Sequence, residues 1–164
     1  MTIRFGILTL SDRSASGERA DESGPALAEQ ILAQNWLVTK QAILPDNESA
    51  IRAILIEWAD GGEVDVILTT GGTGFTPRDI TPEATRAVIE RDAPGLAETM
   101  RAESLKKTPH AMLSRAVAGI RGHTLIVNLP GSPKGALENL QTILPVLSHA
   151  VQLLTDDPGS EASH

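Results

Sequence analysis

The chain has 164 residues, of which 41% are hydrophobic and 2% aromatic, so a domain of ordinary size can bury a core of aliphatic side chains. It contains no cysteine, which excludes disulfides, thiolate nucleophiles and cysteine metal sites, and its four histidines lack the close spacing of zinc ligands. The net charge of −7 argues against general nucleic-acid binding, and no apolar run reaches membrane-spanning length, so we expect a soluble, cytoplasmic protein without a membrane or nucleic-acid partner.

Strand-like and helix-like segments alternate along the first part of the chain. Ile3–Leu10 is an apolar run that predicts a strand, and the polar segment Ser11–Ser23 predicts a loop. Pro25 is suited to the first turn of a helix. Trp36–Leu44 predicts an amphipathic strand, and an apolar stripe at helical spacing predicts a helix over Asn47–Ala59.

The central part of the chain begins with a buried strand. Val64–Thr70 is short and β-branched, as in strands covered on both faces. It leads into the loop Gly71–Asp79, after which Thr81, followed by Pro-Glu, predicts a capped helix start. Pro94 and Gly95 interrupt the helical pattern, and another helix is expected to reach Lys107.

The last part of the chain repeats the strand-then-helix order. Thr124–Leu129 predicts a buried strand, Pro130–Pro133 a turn, and the leucine pattern up to Leu154 a long helix that Pro145 kinks or breaks. The alternation predicts an α/β fold: a three-layer αβα sandwich with a mostly parallel central sheet. Residues 1–154 form one expected domain, and residues 155–164 an expected polar, frayed tail.

The glycine-rich loop is the most informative chemical feature. Gly71, Gly72, Thr73 and Gly74 follow a buried strand, at the sheet edge where open α/β folds bind ligands. Three glycines in four residues let backbone amides approach an anion closely, which is more than a tight turn requires. The loop lacks Gly-Lys-Ser/Thr, and Pro77 breaks the dinucleotide-binding glycine pattern, so neither familiar nucleotide motif is present.

Two aspartates follow strands at the same predicted edge. Asp46 and Asp79 are candidate Mg²⁺ ligands, because Mg²⁺ prefers one or two carboxylates together with substrate phosphate oxygens. The alternative for each is helix capping. It is weaker for Asp79, since Thr81 offers its own cap, and about even for Asp46, since Asn47 can cap instead.

Other candidate ligand-binding residues lie in the remaining polar segments. Ser11, Asp12 and Arg13 are able to bind a polar ligand, but taken alone they favour a solvated loop start. Ser114 and Arg115 lie in or near an expected short helix, where an arginine is more often a surface charge. Pro130, Gly131 and Ser132 form either a second anion loop or a rigid turn. Cations near the two loops are Arg78 and Lys134.

Five segments occur together in one order: ILTLSDR, LPD, LTTGGTGFTPRDITPEA, MLSR and NLPGSP. Together they resemble the molybdopterin adenylyltransferase family, which includes the MogA type and the G domain of gephyrin. The resemblance extends from about Ile3 to Leu154, and the long glycine-loop segment is its most specific part.

The resemblance implies a three-layer, usually trimeric α/β protein that transfers AMP from ATP to the phosphate of molybdopterin with Mg²⁺ and releases pyrophosphate. It implies that Asp46 and Asp79 are the two functional acids. It places the nucleotide and pterin against the glycine loop, Ser114 and the Pro-Gly-Ser-Pro loop, with Asn128 just before the latter. The resemblance also implies that the product is handed over to a molybdenum insertion enzyme.

Two alternatives to an adenylyltransferase remain. Related MoaB-type proteins suggest a pterin-binding or scaffold module without catalysis, and an unrelated phosphohydrolase would release AMP or phosphate without pterin. Asp46 and Asp79 favour the enzyme, because a protein that only binds an anion gains nothing from two acids beside it.

Overall fold

The computed structural model describes residues 1–156 and contains, within them, one six-stranded sheet. Its strands lie in the order β2-β1-β3-β6-β5-β4. They are β1 (Arg4–Leu10), β2 (Leu37–Leu44), β3 (Val66–Thr70), β4 (Arg91–Asp92), β5 (Ala118–Arg121) and β6 (Thr124–Leu129). The first four in spatial order are parallel, whereas β5 and β4 pair antiparallel at one edge. The prediction of a mostly parallel sheet is confirmed.

Helices cover both faces of this sheet. They are α1 (Asp12–Ala15), α2 (Ser23–Leu32), α3 (Glu48–Asp60), α4 (Thr81–Val88), α5 (Pro94–Leu105) and α6 (Pro133–Leu154), with a 3₁₀ helix at Pro109–Leu113. The helices pack against the sheet through two apolar clusters. Helices α2, α5 and α6 pack on one face, and α3 and α4 pack on the other. The predicted three layers are therefore confirmed.

Alternation along the central strands explains why both faces are covered. In β1, Phe5 and Ile7 join the cluster under α2 and α6, while Leu8 and Leu10 join the one under α3. Because successive side chains point to opposite faces, a continuous apolar run requires helices on each side. The edge strand β2 is instead half-exposed in strict alternation, as its amphipathic sequence predicts.

Several expected boundaries differ. Pro94 begins helix α5 instead of interrupting one, because its missing N–H costs nothing in the first turn. Helix α6 continues through Pro145, so the predicted break is absent. Pro145 has no N–H to donate to the carbonyl of Gln141, four residues earlier. Both residues are exposed, which leaves that carbonyl accessible to water.

Short elements were not predicted from the sequence. The segment expected to be a loop, Ser11–Ser23, contains α1, and β4 and β5 are too short for a periodic pattern. The expected tail lies mostly outside the described residues. The prediction that it is frayed therefore also lies outside them. No described helix is long and apolar enough to cross a membrane.

Candidate active site

A cavity of about 550 Å³, here the first cavity, lies where the four parallel strands end. Parallel strands place their carboxyl ends at one edge, so the segments that follow β1, β2, β3 and β6 converge there. Its charged lining residues are one cation, Arg19, and the acids Asp21, Glu22, Asp46 and Asp79. Its remaining polar and loop lining includes Thr9, Ser11, Ser14, Ser23, Thr70, Gly71, Gly72, Gly131 and Ser132.

A second cavity of about 330 Å³ is lined by further residues of the same loops. Thr73 and Gly74, the next residues of the glycine loop, line it, and Ser132 lines both cavities. Its other predicted residues are Ser114 and Pro130. His110 and the charged side chains of Arg101, Lys107 and Glu138 also line it, so it lacks the excess of acids that the first cavity has.

Thr81 directs the first peptides of the glycine loop. Its hydroxyl donates to the carbonyl of Gly71 at 2.9 Å, and its amide donates to the carbonyl of Gly72 at 3.1 Å. In a trans peptide the N–H points away from the C=O, so the amides of Gly72 and Thr73 face the other way. The expectation that Thr81 caps α4 is wrong: the cap position is Ile80, without a side-chain cap bond, and the hydroxyl supports the loop instead.

Gly72 occupies a cradle that a larger residue would fill. Its φ is +68°, and a Cβ there would lie 2.3 Å from Thr81 Oγ1 and 3.1 Å from Asp46 Oδ1. Gly74 is not among the residues with a positive φ. A Cβ on Gly74 would instead lie 2.9 Å from Asp79 Oδ2, so space beside that carboxylate constrains this residue.

Asp46 is not a helix cap, because Asn47 caps α3 by accepting from the amide of Ala50 at 3.0 Å. Its Oδ2 accepts from the amide of Asp12 at 3.3 Å, whereas its buried Oδ1 has no hydrogen-bond partner within residues 1–156. Burial raises the pKa of this carboxyl, and the charges of Asp12 and Asp79 add to the effect. An unpaired carboxylate oxygen inside a protein is costly and rarely structural.

Asp79, like Asp46, does not cap the helix that follows it. Its Oδ2 accepts from the amide of Thr76 at 2.9 Å, and its own amide donates to the Thr76 carbonyl at 2.9 Å. This local turn closes the loop and places the carboxylate against Gly74 in the first cavity.

Asp12 and Arg78 form an exposed pair outside both cavities. Arg78 donates to the Asp12 carboxylate through Nε at 3.0 Å and through Nη2 at 2.9 Å. The Oδ1 of Asp12 also accepts from the amide of Asp46 at 3.0 Å. The bond from Arg78 is the largest cause of the lowered pKa of Asp12. This pair joins the segments after β1, β2 and β3.

The Pro-Gly-Ser-Pro loop is held by hydroxyls from two other segments. Thr70 Oγ1 donates to the Pro130 carbonyl at 2.7 Å, and Ser23 Oγ donates to the Gly131 carbonyl at 2.7 Å. Ser132 caps α6, its hydroxyl accepting from the Gly135 amide at 3.1 Å.

Five other predicted ligand-binding residues do not line either cavity. Arg13, Pro77 and Lys134 are exposed elsewhere. Asn128 is fully buried and donates to Thr69 and Thr85 hydroxyls, so it joins β6 to its neighbours instead of facing solvent. Arg115 directs its guanidinium at protein groups.

Sequence reasoning missed Arg19, Asp21 and Ser23 in the first cavity and Arg101 and Lys107 in the second. The first three lie in the polar segment after β1, whose position at the sheet edge was the available signal. Arg101 in α5 and Lys107 just after it had no such signal, because only packing brings that helix to the loops.

No group of three or more metal-ligating side chains occurs among residues 1–156. A metal here would therefore rest on at most two protein carboxylates, which is the usual arrangement when Mg²⁺ is shared with substrate phosphates.

Similar proteins come from molybdenum cofactor biosynthesis or carry the name gephyrin. The chain is 48% identical over 158 residues to the molybdenum cofactor synthesis protein cinnamon of Drosophila melanogaster, covering 95% of this chain and 26% of that protein. It thus spans about a quarter of the length of that relative, and of gephyrin from Dictyostelium discoideum, of which it covers 23%. It is 44% identical over 156 residues to a molybdopterin adenylyltransferase of Helicobacter pylori J99, covering 93% of this chain and 88% of that one.

A solved structure, the molybdopterin biosynthesis enzyme MoaB from Thermus thermophilus, superposes with a TM-score of 0.90 at 52% identity, covering 96% of this chain and 99% of that one. The model of the family described as a probable molybdopterin binding domain matches residues 6–149. Since that match spans most of the chain and the sheet edge described above, the chain belongs to the molybdopterin-binding domain family of molybdenum cofactor biosynthesis.

Proposed function

We propose that this protein is a molybdopterin adenylyltransferase, which transfers AMP from ATP to the phosphate of molybdopterin and releases pyrophosphate. Supporting it are the similar proteins from Helicobacter pylori and Escherichia coli that carry this name, at 44% and 42% identity.

One observation carries the proposal: two cavities of different charge meet at a single glycine loop. Gly71 and Gly72 line the first and Thr73 and Gly74 the second. A reaction that joins two substrates through their phosphates requires two adjoining pockets with anion donors at the junction. The free amides of the loop supply those donors without adding positive side chains.

The reaction needs no acid or base from the protein. A phosphate monoester is mostly dianionic near neutral pH, since its second pKa is about 6. One of its oxygens attacks the α-phosphorus of ATP, the new P–O bond forms, and the bond to the bridging oxygen breaks as pyrophosphate leaves. The protein's task is alignment and charge stabilisation.

Mg²⁺ fits the residues that are present. The buried, unpaired Oδ1 of Asp46 lies beside Gly72 and the carboxylate of Asp79 beside Gly74, and these two acids would hold the ion. When bound, Mg²⁺ neutralises phosphate charge and orients the phosphates. Without a cation the first cavity, with four acids and Arg19, would repel a polyphosphate.

Three further proposals concern the setting of the reaction: a homotrimer, handover of the adenylylated product to a molybdenum insertion enzyme, and a cytoplasmic location. The trimer is supported by an apolar groove between α5 and α6. Handover is supported by relatives in which the region similar to this chain is one part of a longer protein.

The test combines ATP, Mg²⁺ and molybdopterin and measures pyrophosphate. Release that requires all three supports adenylyl transfer. Pterin binding without pyrophosphate would identify a non-catalytic binder, and AMP or phosphate release without pterin would identify a hydrolase. Either result refutes the proposal.

A further inference from the structure

Arg115 contacts the loop Gly71–Asp79 at two places, its centre and its last residue. Its Nε donates to the carbonyl of Gly74 at 2.8 Å, and its Nη2 donates to the carbonyl of Asp79 at 2.7 Å. Its backbone amide donates to the carbonyl of Thr73 at 2.8 Å. One residue thus holds three carbonyls of the segment that separates the two cavities.

Glu83 fixes the guanidinium that makes these contacts. Both of its carboxylate oxygens accept from Arg115 Nη1, at 2.8 and 3.0 Å. Glu83 lies in the first turn of α4, so the pair connects the loop to the helix that follows it. The planar guanidinium reaches these three groups through three different nitrogens held in one fork, whereas the ammonium of a lysine donates from a single nitrogen.

The bound carbonyls set the direction of the next amides. Because C=O and N–H point oppositely in a trans peptide, binding the carbonyls of Thr73 and Gly74 turns the amides of Gly74 and Phe75 away from Arg115. Within residues 1–156 these two amides have no acceptor, and neither do those of Gly72 and Thr73, which Thr81 orients. Four consecutive amides, from Gly72 to Phe75, are therefore without a partner among the described residues, and three of them belong to residues that line a cavity.

We propose that Arg115 is a positioning residue that directs the amides of Gly74 and Phe75 toward a substrate phosphate and fixes the backbone of Asp79, without contacting substrate itself. This role rests on the proposed function, in which the loop receives phosphates. It differs from the ligand-binding and surface-charge roles that the sequence suggests, since the guanidinium lines neither cavity.

Arg121 provides a matched control. It also pairs with a carboxylate, that of Asp60, and donates to a carbonyl, that of Val88, but it lies away from both cavities. The test compares Arg115→Lys and Arg115→Ala with Arg121→Lys and Arg121→Ala. Each variant is measured for Tm, deuterium exchange of residues 71–80, and pyrophosphate release with ATP, Mg²⁺ and molybdopterin.

We expect Arg115→Lys to speed exchange in residues 71–80 alone and to lower pyrophosphate release by about 10²-fold, the scale for misaligned reactants. Its Tm should fall no further than that of Arg121→Lys. Millimolar guanidinium should restore release by Arg115→Ala and leave Arg121→Ala unchanged.

Wild-type exchange in the loop and wild-type release by Arg115→Lys would overturn the proposal. So would faster exchange throughout the sheet with a matching loss of Tm, because that would make Arg115 a general stabiliser. If the wild-type protein itself releases no pyrophosphate, adenylyl transfer fails. The role of Arg115 is then judged by loop exchange and by calorimetric titration with ATP and Mg²⁺: unchanged ATP affinity in Arg115→Lys overturns it.

Discussion

The carboxylate of Asp79 accepts one amide hydrogen bond and otherwise faces the first cavity. In Asp79→Asn the amide oxygen can still accept from Thr76, so the loop and the fold should persist. Pyrophosphate release should fall by about 10²–10³-fold, the scale for losing one preorganised electrostatic group. Pterin binding should be retained, because no amide donor is removed.

The measurement pairs pyrophosphate release with a pterin-binding titration on the same protein. Asp60→Asn is the control, since Asp60 pairs with Arg121 away from the cavities. Near-normal turnover in Asp79→Asn would leave its carboxylate with the loop-closing role alone.

Asp46 is expected to lower stability at neutral pH. Its pKa is raised in the folded state, chiefly by burial, so the native protein binds this proton more tightly than the unfolded chain does. The free energy of unfolding contributed by this group therefore falls as pH rises from its unfolded pKa through its folded pKa, and the penalty is complete above that.

Asp46→Asn should therefore have a higher Tm than wild type at pH 7, and the difference should shrink as pH falls through the folded pKa of Asp46. Transfer activity should fall as in Asp79→Asn. Thermal unfolding at several pH values checks the sign. A Tm below wild type at pH 7 would contradict the assignment of Asp46 as a desolvated, unpaired carboxylate.

In the glycine loop, Gly72 combines a left-handed backbone with a close approach to the carboxylate of Asp46. Gly72 has φ +68° and little space, whereas Gly62 has φ +76° and nothing within 4 Å of an added Cβ. The two glycines therefore separate backbone strain from steric contact. Gly62→Ala should cost about 1–2 kcal/mol of unfolding free energy, the left-handed penalty for a residue with a Cβ.

Gly72→Ala should cost more than Gly62→Ala in urea unfolding, because the added Cβ also meets Thr81 Oγ1. It should also lose most pyrophosphate release, whereas Gly62→Ala should keep it. Equal activity of the two variants would show that the cradle at Gly72 does not position substrate.

At the scale of the whole molecule, the leucine pattern of α6 is mostly core. Leu140, Leu147 and Val151 are buried, while Val146 and Leu153 are 48% and 50% exposed. These two line an apolar groove of about 680 Å³ together with α5 and β5. We propose that a second copy of the chain covers this groove in the trimer, because exposed apolar patches of this kind mark interaction surfaces.

Val146→Glu should shift the protein from trimer to monomer in light scattering at micromolar concentration, without loss of secondary structure, because the side chain is only half-covered. Leu32→Glu, at a residue 56% exposed on α2, should leave the assembly unchanged. A wild-type mass equal to 17.4 kDa would refute the trimer.

Local patterns were sufficient for much of the architecture and for the centre of the site. The apolar runs of β1, β3 and β6 specify covered strands because side chains alternate between two faces, and the parallel order then places their following loops at one edge. For that reason Gly71, Gly72, Asp46 and Asp79 were predicted to lie together, and the structure places all four around the first cavity.

Local sequence patterns were enough to predict which segments reach the sheet edge, but the role of each polar group there follows from contacts between distant parts of the chain. Thr81 has the pattern of a helix cap, yet its hydroxyl binds Gly71, and Arg115 binds Gly74, a residue 41 positions away. Periodicity and capping are encoded within one or two turns of chain. The partner of a hydroxyl or a guanidinium depends instead on how α4, α5 and the loops pack, which no local pattern specifies.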